Sequence, residues 1–349
     1  MTKENTFKYI IIGAGLSGLT SAYLLDKQGE TNFLVLEARD RIGGRILTKD
    51  TIDFGATWIH HPHEHILSLL DTLAIDTFVQ YSEGNNILIY NTRAEPHYFV
   101  TDPNAPSSYR ISGGSSTLIK ALSKSVAHHI KTTTFVTEIV EKEDALTVVT
   151  KDGSYNAEKV LITIPPRIAS DMVFSPALPE ATLRVMKQTH TWMSNAIKVG
   201  LTFATPFWRE NNFSGTIIGQ VGALTELYDH SSADNSTFAL MGFVNEGLRA
   251  LSAIERKERI LLYLKNCLGE EILEYLTYEE KDWSEDKHTS CDNIHSVYLT
   301  PKYGNPVFSD FHMNDKLLFS GAETSPIHGG YMDGAIYSGI NAVHKLLKN

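Results

Sequence analysis

The chain has 349 residues, 42% of them hydrophobic, enough for a substantial core and about two domains. Acidic residues outnumber basic ones 41 to 31, a formal charge of −10, and no basic block marks a nucleic-acid surface. Its two cysteines, Cys267 and Cys291, make no disulfide framework, and no run of about twenty apolar residues near the C-terminus supplies an anchor, so a soluble, cytoplasmic protein that binds neither membrane nor nucleic acid is expected.

Residues 7–12 form an apolar run of strand length that leads into Gly13-Ala14-Gly15-Leu16-Ser17-Gly18, a helical stretch over 19–28, and a second strand over 33–36 ending at Glu37. Strand, glycine turn, helix, strand and acid in this order form the dinucleotide-binding fingerprint in its required context. Gly13 permits the tight turn, Gly15 lets the backbone approach a pyrophosphate, and Gly18 lets the helix pack on the sheet. The helix N-terminus offers N–H groups and a positive dipole end to the phosphates, and Glu37 is placed to bind a ribose. A signal peptide over 7–25 would remove this whole unit, so none is expected. The next segment, Arg39-Asp40-Arg41-Ile42-Gly43-Gly44-Arg45, adds a second glycine pair and three arginines for a diphosphate. Glu37-x-x-x-Arg41-x-Gly43-Gly44-Arg45 resembles the FAD-binding signature of the glutathione-reductase-like flavoproteins, and FAD is the expected cofactor.

Further along, His61-Pro62-His63-Glu64-His65 invites a metal reading. The H-E-x-x-H spacing is missing, and Pro62 suits the first position of a helix, so the expectation is no metal site and three solvated histidines at a helix start. A helix is predicted over 116–125 after Gly113-Gly114, and strands over 134–140 and 146–150 around the turn Lys151-Asp152-Gly153. Residues 196–203 alternate and predict a strand, with Lys198 inside it, where a charge is costly unless partnered. Helical spacing recurs over 255–267 and 270–276, and a short strand ends at Gly321-Ala322-Glu323 before a helix that runs to residue 347.

Several of these segments together resemble the flavin amine oxidase family. They are, in order, the N-terminal fingerprint, Asp53-Phe54-Gly55-Ala56-Thr57-Trp58-Ile59-His60, Gly113-Gly114-Ser115, residues 160–166, Asn195-Ala196-Ile197-Lys198-Val199 with Pro206-Phe207-Trp208, Trp283-Ser284, and Gly330-Tyr331-Met332-Asp333-Gly334. Only about residues 78–110 and 210–280 lack a match. The resemblance implies an α/β fold. Residues 1–77, 108–168 and 290–349 would form a discontinuous, Rossmann-like FAD-binding domain, and 78–107 with 169–289 a shortened substrate domain of mixed sheet and helix. It implies oxidation of a primary amine or polyamine to the imine, with hydride transfer to flavin N5 and reoxidation by O2 to H2O2. The FAD is expected to be non-covalent, Cys291 lying one residue from where some members attach it. Oligomeric state is left open.

The resemblance also assigns roles. Lys198 holds a water at flavin N5, and Tyr331 is one wall of an aromatic cage. Asn293 falls where the second wall belongs, His60 faces the substrate as in polyamine oxidases, and His328 stands at the pocket mouth. Cofactor contacts fall on Gly13, Gly15, Ser17, Gly18, Glu37, Arg39, Gly44, Arg45, Gly55, Ala56, Thr57, Val136, Trp283, Glu323 and Met332. Alternatives are an L-amino-acid oxidase, with Arg110 and Arg167 as its only loosely suitable arginines, and a non-catalytic FAD-binding protein. The Lys198 and Tyr331 segments speak against a desaturase-like or protoporphyrinogen-type member.

Overall fold

The structure is a computed structural model, and it describes residues 5–91, 93–291 and 302–348. Its first sheet has eight strands. Thr6–Ile12 lies at the centre, parallel to Phe33–Leu36 on one side and to the end of Gly153–Ile162 on the other. Ile10, Ile11 and Ile12 are buried on both faces of the sheet, which explains the unbroken apolar run. Leu317–Phe319 pairs parallel with the end of Gly153–Ile162, while Val136–Glu141 and Leu146–Thr150 extend its beginning as an antiparallel meander. This is the α/β, Rossmann-like arrangement expected from the sequence.

The helices Leu16–Lys27 and Met332–Lys348 pack closely on each other, so closely that a Cβ on Gly339 would lie 2.8 Å from the Ser17 carbonyl oxygen. The first helix starts three residues earlier than its periodicity predicts, because the glycine turn feeds directly into it. The stretch predicted as a helix over 270–276 is a short 3-10 turn, Glu270–Glu274, following the helix Ala253–Leu268.

The second sheet has seven strands, with Ile197–Phe203 between Phe238–Val244 and Thr277–Asp282. Here the expected alternation fails, since all seven residues of Ile197–Phe203 are buried. One face meets Ile260, Leu264 and Leu268 of the helix Ala253–Leu268. The other receives Ile52 and Phe54, which pack so tightly on Gly200 that a Cβ there would sit about 3 Å from both. A small hairpin, Thr48–Lys49 with Ile52–Asp53, thereby connects the two sheets at the strand that carries Lys198.

Candidate active site

One cavity of about 720 Å3 runs from the glycine turn of the first sheet to the face of the second. At its first end Gly13, Gly15 and Ser17 line the wall. Gly13 and Gly43 have φ of +107° and +98°, in the left-handed region that favours glycine, and Gly43 N–H donates to the Ala14 carbonyl at 2.8 Å to join the two glycine turns. Gly15 has an ordinary φ of −77°, and a Cβ on it would meet nothing within 4 Å. Its smallness serves whatever fills the cavity, not the fold. A Cβ on Gly18 would lie 2.0 Å from the Gly13 carbonyl oxygen, so that glycine serves helix packing and does not line the cavity.

Glu37 and Arg39 form the next part of the wall. Glu37 Oε2 accepts Ala14 N–H at 2.8 Å, while Oε1 accepts Arg39 N–H at 2.9 Å and Arg39 Nη1 at 3.5 Å, which leaves a lone pair on Oε2 for a ribose hydroxyl. Arg39 is held by Asp286, whose Oδ1 accepts from Nη2 at 2.7 Å. Arg41 donates to the Gly44 carbonyl at 2.9 Å and so shapes the second glycine turn. These features fit a dinucleotide along its length: open space at Gly15, an uncapped helix start, an unspent acceptor on Glu37 Oε2, and Gly44 and Arg45 on the same cavity wall.

Gly55, Ala56 and Thr57 line the middle, and Tyr331 and Met332 face the cavity at the start of the C-terminal helix. Lys198 reaches this region from the second sheet and is 1% exposed. Its Nζ donates to the carbonyls of Asp53 at 3.1 Å and Gly55 at 2.8 Å and to Thr57 Oγ1 at 3.0 Å, the full complement of an ammonium. It also lies 5.4 Å from the Trp58 ring centroid and 4.8 Å from that of Phe243. Burial pushes its pKa down to about 7, against the pull of the Asp53 and Glu226 carboxylates.

Besides Gly18, four expected site residues lie off the cavity wall. Glu323 is buried and ion-paired with Arg45, which itself lines the cavity, so Glu323 acts by holding that arginine. Trp283 is fully buried behind the wall and donates to the Phe54 carbonyl at 2.7 Å, and Val136 is core. His328 pairs with Asp333 at 2.7 Å beside the cavity. Asn293 lies outside the described residues.

The histidine cluster also corrects the sequence reading. The helix is Glu64–Thr72 with His63 at its N-cap, so Pro62 precedes it by two residues. Only His61 is exposed. His63 is 3% exposed, accepts His60 N–H on Nδ1 at 3.2 Å, and packs 5.1 Å from the Tyr331 ring. Burial lowers its pKa to about 4. His60 lines the cavity, 6.0 Å from Tyr331, and donates or accepts at Ser108 Oγ. Among the described residues no group of histidines, cysteines and carboxylates could hold a metal ion.

The sequence reading missed Glu226 and Tyr228, both on the cavity wall with Trp58 and Phe243. They lie on the strand Leu224–Asp229, in the stretch without a family match, and Tyr228 O–H donates to Glu226 Oε2 at 3.0 Å. A glutamate between Leu224 and Leu227 was the available signal.

Comparison with known proteins agrees with this geometry. The sequence profile of the family described as flavin containing amine oxidoreductase matches residues 16–109 and 88–347. A flavin-containing amine oxidase of Oncorhynchus mykiss is 24% identical over 461 aligned positions, covering 99% of this chain and 87% of that protein. With 349 residues here, at least 112 of those positions have no counterpart in this chain. Flavin-containing amine oxidase B of Homo sapiens is 23% identical, covering 99% of this chain and 86% of its own. Among solved structures, a putrescine oxidase bound to putrescine superposes with a TM-score of 0.83 at 21% identity over 99% of both chains. Cyclohexylamine oxidase from Brevibacterium oxydans gives 0.85 at 19% identity, over 98% of this chain and 99% of that one.

Proposed function

The chain belongs to the flavin-containing amine oxidoreductases, FAD-dependent enzymes acting on amines, and from that premise we propose that its substrate is a diamine or polyamine with a second cationic nitrogen. When bound, FAD supplies the acceptor for the hydride equivalent from the carbon beside the reacting nitrogen, and O2 returns it to the oxidised form with release of H2O2. The observation that carries the substrate reading is the Glu226 carboxylate on the cavity wall beside Trp58, Tyr228 and Phe243, with Glu246 a second carboxylate on the lining. Burial and the neighbouring Glu226 hold the Tyr228 phenol well above its usual pKa, so it stays a donor and fixes the carboxylate. A carboxylate on an aromatic wall favours a distal ammonium over a plain hydrocarbon tail. Putrescine, found in one structural neighbour, is such a diamine.

In this reading Tyr331 and His60 flank the reacting nitrogen. Lys198 supplies positive charge at the buried end of the cavity, where oxygen reduction develops negative charge. The residues named for the glycine turns, Glu37, Arg39 and Arg45 hold the cofactor. No cysteine lines the cavity among the described residues, which favours a non-covalent FAD. The segments 1–77, 108–168 and 290–349 serve as its domain and 78–107 with 169–289 as the substrate domain. No helix among the described residues is long and apolar enough to cross a membrane, and two cysteines far apart in sequence, with no disulfide framework, favour a reducing compartment such as the cytoplasm.

An L-amino-acid oxidase needs a cation for the substrate carboxylate. Arg110 is buried away from the cavity, donating to the carbonyls of His230 and Ser231, and Arg167 pairs with Asp171. Neither is placed for that role. The test is anaerobic flavin reduction and a peroxide-coupled screen over monoamines, diamines, polyamines and amino acids. Glu226→Gln is expected to raise KM for a diamine by about 10- to 100-fold, the worth of a hydrogen bond to a charged group, and to leave that for a monoamine of equal length nearly unchanged. Equal effects on both would remove the distal-ammonium reading, and no reduction by any amine would favour the non-catalytic one.

A further inference from the structure

Behind Lys198 lies a buried polar network that the amine chemistry does not use directly. Asp53, whose carbonyl accepts from Lys198, is fixed at every other polar group. Its carboxylate accepts Ser115 N–H at 2.9 Å, Ser115 Oγ–H at 3.1 Å and Thr48 Oγ1–H at 2.6 Å. Its own N–H donates to His230 Nε2 at 3.0 Å. His230 follows the strand Leu224–Asp229 directly, is 0% exposed, and is itself fixed by its N–H to the Ala239 carbonyl and its carbonyl to Arg110.

A ring nitrogen that receives an N–H carries no proton. His230 is therefore neutral, with its hydrogen on Nδ1, which has no partner among the described residues. Protonation would set Nε2–H against the Asp53 N–H donor. The charged groups around the ring act in both directions. Asp53 Oδ2 lies 3.8 Å from Nε2, Lys198 and Arg110 oppose a further positive charge, and Asp229 is occupied by Arg209 and Trp208. Burial and these two cations hold the imidazole well below its usual pKa.

We propose that His230 is a positioning residue for Lys198, holding Asp53 through its N–H so that the Asp53 carbonyl stays on the Lys198 amine. Lys198 lies on the second sheet and His230 directly after its strand Leu224–Asp229, and both hold Asp53 of the hairpin docked there. The peptide that carries the Asp53 carbonyl is also held by Phe54 N–H on the Leu47 carbonyl at 2.8 Å, so losing the grip lets the residue draw back from the Lys198 amine as a unit. The ammonium then loses one of its three acceptors, and Lys198 gives up its proton at a lower pH.

The test is the pH dependence of thermal stability of the holoenzyme, taken as the difference between each protein and its Lys198→Met counterpart, which isolates the lysine's titration. His230→Leu is expected to move the lysine inflection down by about one pH unit, the worth of one lost hydrogen bond to a charge. His230→Gln, whose amide oxygen reaches the Nε2 position, should restore it, and the alkaline limb of flavin reoxidation should move in the same order. If His230→Leu does not fold, His230→Asn, whose amide stops short of Asp53, takes its place in the comparison. An inflection equal in the Gln variant and in the Leu or Asn variant would overturn the proposal. So would nitrogen NMR of the wild type, with the His230→Gln spectrum assigning the signal, if the ring proton were on Nε2.

Discussion

The two ends of the cavity are built by different means. The cofactor end is made of backbone: two glycine turns, a helix start and one carboxylate, all within residues 13–45. The substrate end is made of side chains, Trp58, Lys198, Glu226, Phe243 and Tyr331, drawn from segments spread over most of the chain. A backbone site works by what is missing at a few positions, so nearly any added atom obstructs it. A side-chain site works by charge and shape on a rigid sheet, so each member is adjustable and its loss is graded.

The largest effect expected from this contrast belongs to Gly15→Val. The φ of −77° suits valine and the Cβ has open space, so the protein should fold while the side chain occupies the pyrophosphate position and FAD is lost. The ratio of flavin to protein absorbance measures this. Gly18→Ala should instead prevent folding, because its Cβ would lie 2.0 Å from the Gly13 carbonyl oxygen. A yellow Gly15→Val protein, or a stable Gly18→Ala apoprotein, would break the distinction between the glycine that makes room and the glycine that packs.

Next in size is Lys198→Met. It should slow flavin reoxidation by about a hundredfold, the usual cost of removing one electrostatic stabiliser, and slow reduction by the amine much less. Stopped-flow measurement of the two half-reactions separates them, and equal oxygen reactivity would remove Lys198 from the mechanism. The same lysine makes a prediction about stability. Its pKa falls from 10.5 unfolded to about 7 folded. Between those values the unfolded chain binds a proton that the native protein lacks, so wild-type stability should rise with pH relative to Lys198→Met across that window. Below pH 7 both states are protonated, and the difference should flatten at its lowest value. A thermal midpoint difference that stays flat through this window would show that Lys198 is charged throughout.

The same contrast explains what could be read from the sequence. Gly13, Gly15, Gly18 and Glu37 form a local pattern whose meaning depends on neighbours a few residues away, and it placed the first sheet and the cofactor end. Lys198 was legible as a charge in an apolar strand, but its burial on both faces was not. That depends on the hairpin residues Ile52 and Phe54 on one side and the helix Ala253–Leu268 on the other. His63 was read as solvated because polar residues at a helix start usually are, and its burial comes from contact with Tyr331, far away in sequence. Glu226 had no motif around it, and its role follows from strand register across the second sheet, where it pairs with Phe243. Such pairings over long separations have no periodicity to announce them.

The smallest predicted effect tests whether the wall around Tyr331 is shape or charge. Tyr331 is 47% exposed and leans on His60 and His63. His63, with its pKa near 4, is neutral throughout the working range, so it supports the phenol ring without adding charge. Removing the ring costs packing against the amine and little else. Tyr331→Ala should lower the limiting rate of flavin reduction by about tenfold, the scale of one lost aromatic contact. The pH profile should keep its form in the variant. The reacting amine must be neutral to lose hydride, and aliphatic amines are mostly protonated at neutral pH, so reduction at fixed amine concentration should rise towards alkaline pH in both proteins. A profile whose midpoint moves in Tyr331→Ala would mean that the wall sets the protonation of the substrate. A flat profile in both would mean that the nitrogen does not have to shed a proton before it reacts, and the choice of an amine as the substrate of this cavity would fail with it.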